Sequence, residues 1–329
     1  MVNCELLGDV RGVQHYSDGR VVRTSKPQWP DCAADPSFEK DEIGCKDVIL
    51  DEGTGMWARI FAPKSATVVH DASSTGKHAL LVYFHGGGFV AFSPASSIFH
   101  GLCSGISHKM GMIVVSVAYR LAPEHRLPVA FDDSFVSLQW LQSQAKKSPM
   151  DRDPWLQNAD FSRIFLMGGS AGGTIVHYMA ARSIHSDLSP LEIKGLFPVV
   201  PFFGAEERSK SEIRSLVQPD VLTLADCDTF WRFCLPEGTN RDHEYCRVPS
   251  AEEIVKIDPM PPSLVVVGAR DVLHSRQVEY YEELRKAGKD AKLVEYPNRG
   301  HFLLFPEVEG EMDYSYGEMI QFVNKCSTL

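Results

Sequence analysis

The run Arg163-Ile-Phe-Leu-Met167 leads into Gly168-Gly-Ser-Ala-Gly-Gly173, and Thr174–Arg182 continues as a helix-like segment. A strand, a sharp turn and a helix are the setting in which G-x-S-x-G exposes a serine hydroxyl as a nucleophile. The turn strains the serine backbone, so Gly168 and Gly172 stand where a side chain would clash. By itself a glycine-rich strand-to-helix loop is commonplace. A second element gives it weight. Ala79-Leu-Leu-Val-Tyr-Phe84 runs into His85-Gly-Gly-Gly-Phe89, and consecutive glycines let backbone N–H groups approach a ligand closely. Attack on an ester carbonyl creates an oxyanion, which pre-aimed N–H donors stabilise. Gly86, Gly87 and Gly88 of this loop, with Ala171 after the serine, are the expected oxyanion hole. His85 lies upstream on the oxyanion side and reads as a loop anchor.

A serine nucleophile of this kind needs a base and a group to orient it, in the chain order serine, acid, histidine. Ser263-Leu-Val-Val-Val-Gly-Ala-Arg-Asp271 puts a carboxylate just after an apolar run, and Pro297-Asn-Arg-Gly-His301-Phe follows the next one. His301 would take the proton of Ser170, and Asp271 would fix the imidazole tautomer. His177 falls on the helix after the serine and is expected to pack, while His125 and His274 read as structural. Asp132 and Asp133 open a helix and are expected to serve its N-terminal dipole. Phe89, Phe92, Phe202, Phe203, Phe230 and Trp231 are candidate walls of an apolar pocket for a small acyl group or an aromatic alcohol.

The elements that must hold these residues are legible as alternation. Strand-like runs occur at Lys46–Leu50, Met56–Phe61, Ala79–Phe84, Met112–Val117, Arg163–Met167, Gly195–Val200, Ser263–Val267 and Lys292–Tyr296. Phe131, Phe135, Leu138 and Leu141 mark one helical face between two of them, and Val278, Tyr281 and Leu284 mark another. Continuous apolar strands alternating with amphipathic helices indicate an α/β fold, a mostly parallel sheet with helices on both faces. Residues 1–45 are polar and read as an arm or cap segment before a core of 46–329. Residues 202–258 interrupt the alternation and read as a cap insertion over one end of the sheet.

The 329 residues carry a formal net charge of −10, with 44% hydrophobic and 23% charged residues. That balance suits a soluble globular chain and excludes an intrinsically disordered one. No basic block appears, which argues against nucleic-acid and anionic-membrane partners. Eight cysteines without a CxxC and an N-terminus without an apolar core point to a reduced, cytoplasmic protein without a zinc site. The expected partner is a small-molecule ester, with no metal and no organic cofactor. Oligomeric state leaves no mark in the sequence.

His85-Gly-Gly-Gly-Phe89, Tyr119-Arg-Leu-Ala-Pro-Glu-His125, Asp153-Pro-Trp-Leu156, Gly168-Gly-Ser-Ala-Gly-Gly173 and Gly300-His301-Phe resemble the hormone-sensitive-lipase-like α/β-hydrolases. Within them the chain is most similar to plant carboxylesterases, from about Asp9 to the C-terminus. The resemblance implies an eight-stranded hydrolase sheet, a small cap and a serine carboxylesterase working through an acyl-serine intermediate. It assigns Ser170, Asp271, His301 and the glycine loop the roles already read from their chemistry. One position departs from the family, where aspartate commonly precedes the nucleophile and this chain has Gly169. The family also holds gibberellin receptors, which lack the catalytic histidine that this chain keeps as His301. It further holds a hydroxyisoflavanone dehydratase and alkaloid cyclases, so a lyase or cyclase is the alternative that an intact triad leaves open.

Overall fold

In the computed structural model, which describes residues 4–24, 28–39, 42–67, 77–218, 220–303 and 311–327, the apolar runs form one eight-stranded sheet. Its strands are β4 (Ile43–Asp51), β5 (Met56–Pro63), β6 (His78–Phe84), β7 (Ile113–Ala118), β8 (Ala159–Gly169), β9 (Ile193–Val199), β10 (Ser263–Gly268) and β11 (Ala291–Tyr296). Their spatial order is β11-β10-β9-β8-β6-β7-β5-β4. The β4–β5 and β5–β7 pairs are antiparallel and the rest are parallel. Three further strands, β1 (Leu6–Val10), β2 (Val13–Tyr16) and β3 (Val21–Arg23), make a separate antiparallel sheet ahead of it.

The helices in chain order are α1 (Lys64–Thr67), α2 (Ser97–Met110), α3 (Val129–Lys146), α4 (Ala171–Ser183), α5 (Lys210–Ser215), α6 (Leu224–Cys234), α7 (Ala251–Ile254), α8 (His274–Lys286) and α9 (Glu311–Ser327). Strand β6 shows why the central runs are apolar without interruption. Leu80, Val82 and Phe84 pack on one face with Leu138 of α3 and Ile175 of α4. Leu81 and Tyr83 pack on the other with Leu102 of α2 and Phe322 of α9. Successive side chains point to opposite faces, and here both faces are covered.

The parallel register carries the loops of the site to one edge. Phe84 pairs with Gly168, so β6 and β8 end side by side and deliver the glycine loop and Ser170 together. Gly268 pairs with Tyr296, which brings the Asp271 and His301 loops to the same carboxyl edge. In open α/β sheets ligands collect there.

Two expectations change. The N-terminal residues contain three real strands, too short to show periodicity; among them Val10 and Val13 are buried. This small sheet rests on α6, with Gly8 under the Phe233 ring and His15 edge-on to it at 5.4 Å. Asp133 does not serve the helix dipole. It is buried, accepts the Arg120 backbone N–H at 2.8 Å and is gripped by the Arg120 guanidinium. Asp132, in the first turn of α3, pairs with Arg182 across the surface at 2.7 Å.

Candidate active site

Ser170 stands between the last residue of β8 and the first of α4, with φ 55° and ψ −120°. Few residues other than glycine hold such a backbone, and strain of this kind gathers at functional sites. The surroundings compel it. A Cβ on Gly168 would run into the Gly172 backbone, and one on Gly172 would run into the carbonyl of Phe84. The elbow is tied down by Ser170 N–H donating to Val199 at 2.9 Å and Gly173 N–H donating back to Ser170 at 2.8 Å.

The three residues expected to act together meet. Ser170 Oγ lies 2.8 Å from His301 Nε2, and His301 Nδ1 lies 2.8 Å from Asp271 Oδ2. Asp271 is fully buried and His301 nearly so. Because a carboxylate only accepts, Nδ1 carries the proton and Nε2 is free to accept from the serine. The Asp271 carboxylate is fixed from two further sides, by Leu273 N–H at 2.9 Å and by Gln277 Nε2 at 2.7 Å. The histidine loop has its own anchor: His301 N–H donates to Asp220 Oδ2 at 2.9 Å, and a side chain on Gly300 would collide with that carboxylate. Sequence reasoning missed Gln277 and Asp220. Both are ordinary residue types outside any motif.

The glycine loop closes over the serine. A Cβ on Gly86 would lie 3.3 Å from the Ser170 Cβ. Gly87 and Gly88 have φ of 109° and 60°, and side chains there would strike the Ala91 carbonyl and the Phe230 ring. Among the described residues, the N–H groups of Gly86, Gly87, Gly88 and Ala171 donate to no backbone carbonyl outside regular elements. Gly86, Gly87 and Gly88 line the same cavity as Ser170, and Ala171 follows the serine at the first position of α4.

His85 anchors this loop, as its position suggested. It is fully buried, its Nδ1–H donates to the Gly86 carbonyl at 2.7 Å, and burial pushes its pKa down to about 4. Tyr119 stacks on the ring at 4.2 Å and donates its hydroxyl to the His85 carbonyl at 2.7 Å. The Tyr119–His125 motif is thus a support for the glycine loop. Asp153 of the Asp-Pro-Trp-Leu motif caps Trp155 N–H at 2.9 Å and holds Lys46 at 2.8 Å.

A tight cavity of about 50 Å³ opens beside Ser170 and His301. Phe92, Phe202 and Phe230 line it as expected, together with Phe99, Val199, Val200, Leu222 and Phe302. Phe89 and Trp231 were expected in the wall and are not in it. Both stand behind Phe202, Trp231 stacked on it at 4.3 Å and Phe89 tilted against it at 6.4 Å. Phe203, next in the chain to Phe202, points the opposite way into the packing of Tyr280. His177 packs as expected, its Nδ1 3.2 Å from the Tyr280 hydroxyl, and burial lowers its pKa to about 4.

Known proteins share this architecture. A family profile described as alpha/beta hydrolase fold matches residues 81–305, about two thirds of the chain. Carboxylesterase 20 of Arabidopsis thaliana is 38% identical over 296 residues, covering 86% of this chain and 86% of that protein. A gibberellin receptor of the same plant is 36% identical over 270 residues, covering 78% of this chain and 74% of the receptor. The crystal structure of an esterase from Pyrobaculum calidifontis superposes with a TM-score of 0.69 at 24% identity, over 87% of this chain and 86% of its own.

Proposed function

This chain belongs to the α/β-hydrolase fold family, and from that premise we propose that it is a serine carboxylesterase acting on small carboxylic esters. The observation that carries the reading is the unbroken chain from Ser170 Oγ through His301 to Asp271, with both contacts at 2.8 Å. His301 takes the serine proton as Oγ attacks the ester carbonyl, and the imidazolium is stabilised by the buried Asp271 carboxylate. The N–H groups of Gly86, Gly87, Gly88 and Ala171 receive the oxyanion. His301 then returns the proton to the departing alcohol, leaving an acyl group on Ser170. A water deprotonated by the same imidazole cleaves that acyl-enzyme and releases the acid. The protein's residues perform every step.

The tight aromatic cavity favours a short acyl group, with Phe92, Phe202 and Phe230 as its walls and Phe89 and Trp231 as backing. Residues 1–45 and 202–258 form the cap in this reading, and 46–329 carry the hydrolase core. A cytoplasmic setting is part of the proposal, supported by eight unbridged cysteines. Among the described residues no helix is long and apolar enough to cross a membrane.

Purified protein should hydrolyse p-nitrophenyl acetate and butyrate faster than the octanoate, and Ser170→Ala should lose all three activities while keeping its fold. Silence of well-folded wild type toward all three would favour the elimination or ligand-receptor chemistry known elsewhere in the family.

A further inference from the structure

Among the described residues, four side chains with polar groups line the cavity, and the proposed mechanism uses only Ser170 and His301. The other two are Tyr83 and Arg11. Tyr83 belongs to the central strand β6 and is fully buried; burial raises its pKa well above the ordinary value, so it is a neutral phenol on the floor beside Gly169. Arg11 comes from the other end of the chain's architecture. It sits in the β1–β2 turn, its side chain is 16% exposed, and its guanidinium lies 6.0 Å from the centre of the Phe302 ring. It therefore stands at the mouth.

A guanidinium keeps its proton, so a fixed positive charge is set into a wall that is otherwise almost entirely apolar. Its compensation is partial. One nitrogen donates to the Val221 carbonyl at 2.6 Å and reaches Asp226 Oδ2 at 3.3 Å. That same oxygen also accepts the Thr223 N–H at 3.2 Å, capping α6. Among the described residues, the second terminal nitrogen meets only the neutral Gln28 amide oxygen, at 3.3 Å. The contacts to Val221 and Asp226 hold the group in place before a substrate arrives, which lessens the ordering needed to bind one. Apolar walls strengthen its pull on an anion.

We infer that Arg11 makes this site selective for esters that carry a carboxylate remote from the bond being cleaved, an inference that rests on the esterase reading above. The ester group sits at Ser170, the apolar body fills the aromatic walls, and the distal carboxylate meets the guanidinium at the mouth. The geometry leaves either half of the ester able to face Arg11, so the test covers both.

Two matched pairs serve: p-nitrophenyl hexanoate against mono-p-nitrophenyl adipate, and phenyl acetate against 3-carboxyphenyl acetate. Each rate is corrected with Ser170→Ala for uncatalysed hydrolysis. The charged member of at least one pair should be favoured about tenfold in kcat/KM, the order expected of one charge-assisted hydrogen bond. In Arg11→Met that ratio should fall to near one, and Arg11→Lys should retain part of it. Asp226→Asn, which keeps a capping side chain but removes the competing charge, should raise it; a merely structural Arg11 would leave that ratio unmoved. No preference in either pair, or a preference that survives Arg11→Met, overturns the inference. Absence of turnover even for the neutral esters would instead bring down the esterase reading, and this inference with it.

Discussion

Ser170 holds a backbone conformation that glycine adopts without strain, and this separates its structural burden from its chemistry. Ser170→Ala keeps the strain and Ser170→Gly releases it, so the glycine variant should be more stable by about 1 kcal/mol in urea unfolding. Neither variant should turn over ester. His301→Ala should lower kcat by several orders of magnitude, leaving what the oxyanion donors contribute alone. Asp220 touches the His301 backbone and no reacting atom, so it is a positioning residue. Asp220→Ala should reduce kcat about tenfold with little change in KM, because misplacing the base affects the transition state more than binding. Asp220→Asn, whose amide oxygen still accepts, should recover most of that loss in steady-state kinetics. The triad was readable in the sequence because its chemistry needs particular residue types at particular turns. Asp220 was not, since its role is one backbone hydrogen bond made 81 positions away. Gln277 was hidden for a similar reason: a glutamine near the start of a helix looks like any other.

At the scale of elements, the elbow depends on two strand ends and a helix start pressed together with no room between them. Gly172→Ala drives a methyl group into the Phe84 carbonyl and should destabilise the fold by at least about 2 kcal/mol, visible as a lowered urea midpoint. The eight sheet strands were legible because burial on both faces makes each a continuous apolar run. Their ends shifted by a few residues, most at β8, which begins at Ala159 rather than near Arg163. The strands β1 to β3 were not legible. They span three to five residues and bury side chains against α6, a partner more than two hundred positions downstream. The aromatic residues show the same boundary of inference. Phe202 and Phe203 are neighbours of one type in the chain, yet one lines the cavity and the other packs on Tyr280. Which residue of such a pair faces the ligand is decided by the backbone at the strand end, and composition carries no record of it.

Across the whole molecule, burial holds His85 and His177 neutral, each pushed down to about 4. In the unfolded chain both titrate near ~6.5. Between those values the unfolded state binds more protons, so stability rises with pH there and falls as the solution is acidified. These two groups leave stability flat above about pH 6.5 and together remove several kcal/mol by about pH 4. Urea midpoints at pH 7.5 and pH 5 would register the loss as a clear drop on the acid side; equal midpoints would contradict it. Asp220 holds the His301 loop and Arg11 of the β1–β2 turn reaches Val221, so the N-terminal sheet, residues of 202–258 and the catalytic loops are linked by hydrogen bonds around the site. In the proposed reaction Ser170 becomes covalently acylated. The most direct measurement is peptide mass spectrometry after reaction with diethyl p-nitrophenyl phosphate, an ester analogue that a serine nucleophile attacks and releases slowly. One diethylphosphoryl group is expected, on Ser170, appearing in step with loss of esterase activity and absent from Ser170→Ala. An unlabelled Ser170 in enzyme that still hydrolyses esters would contradict it.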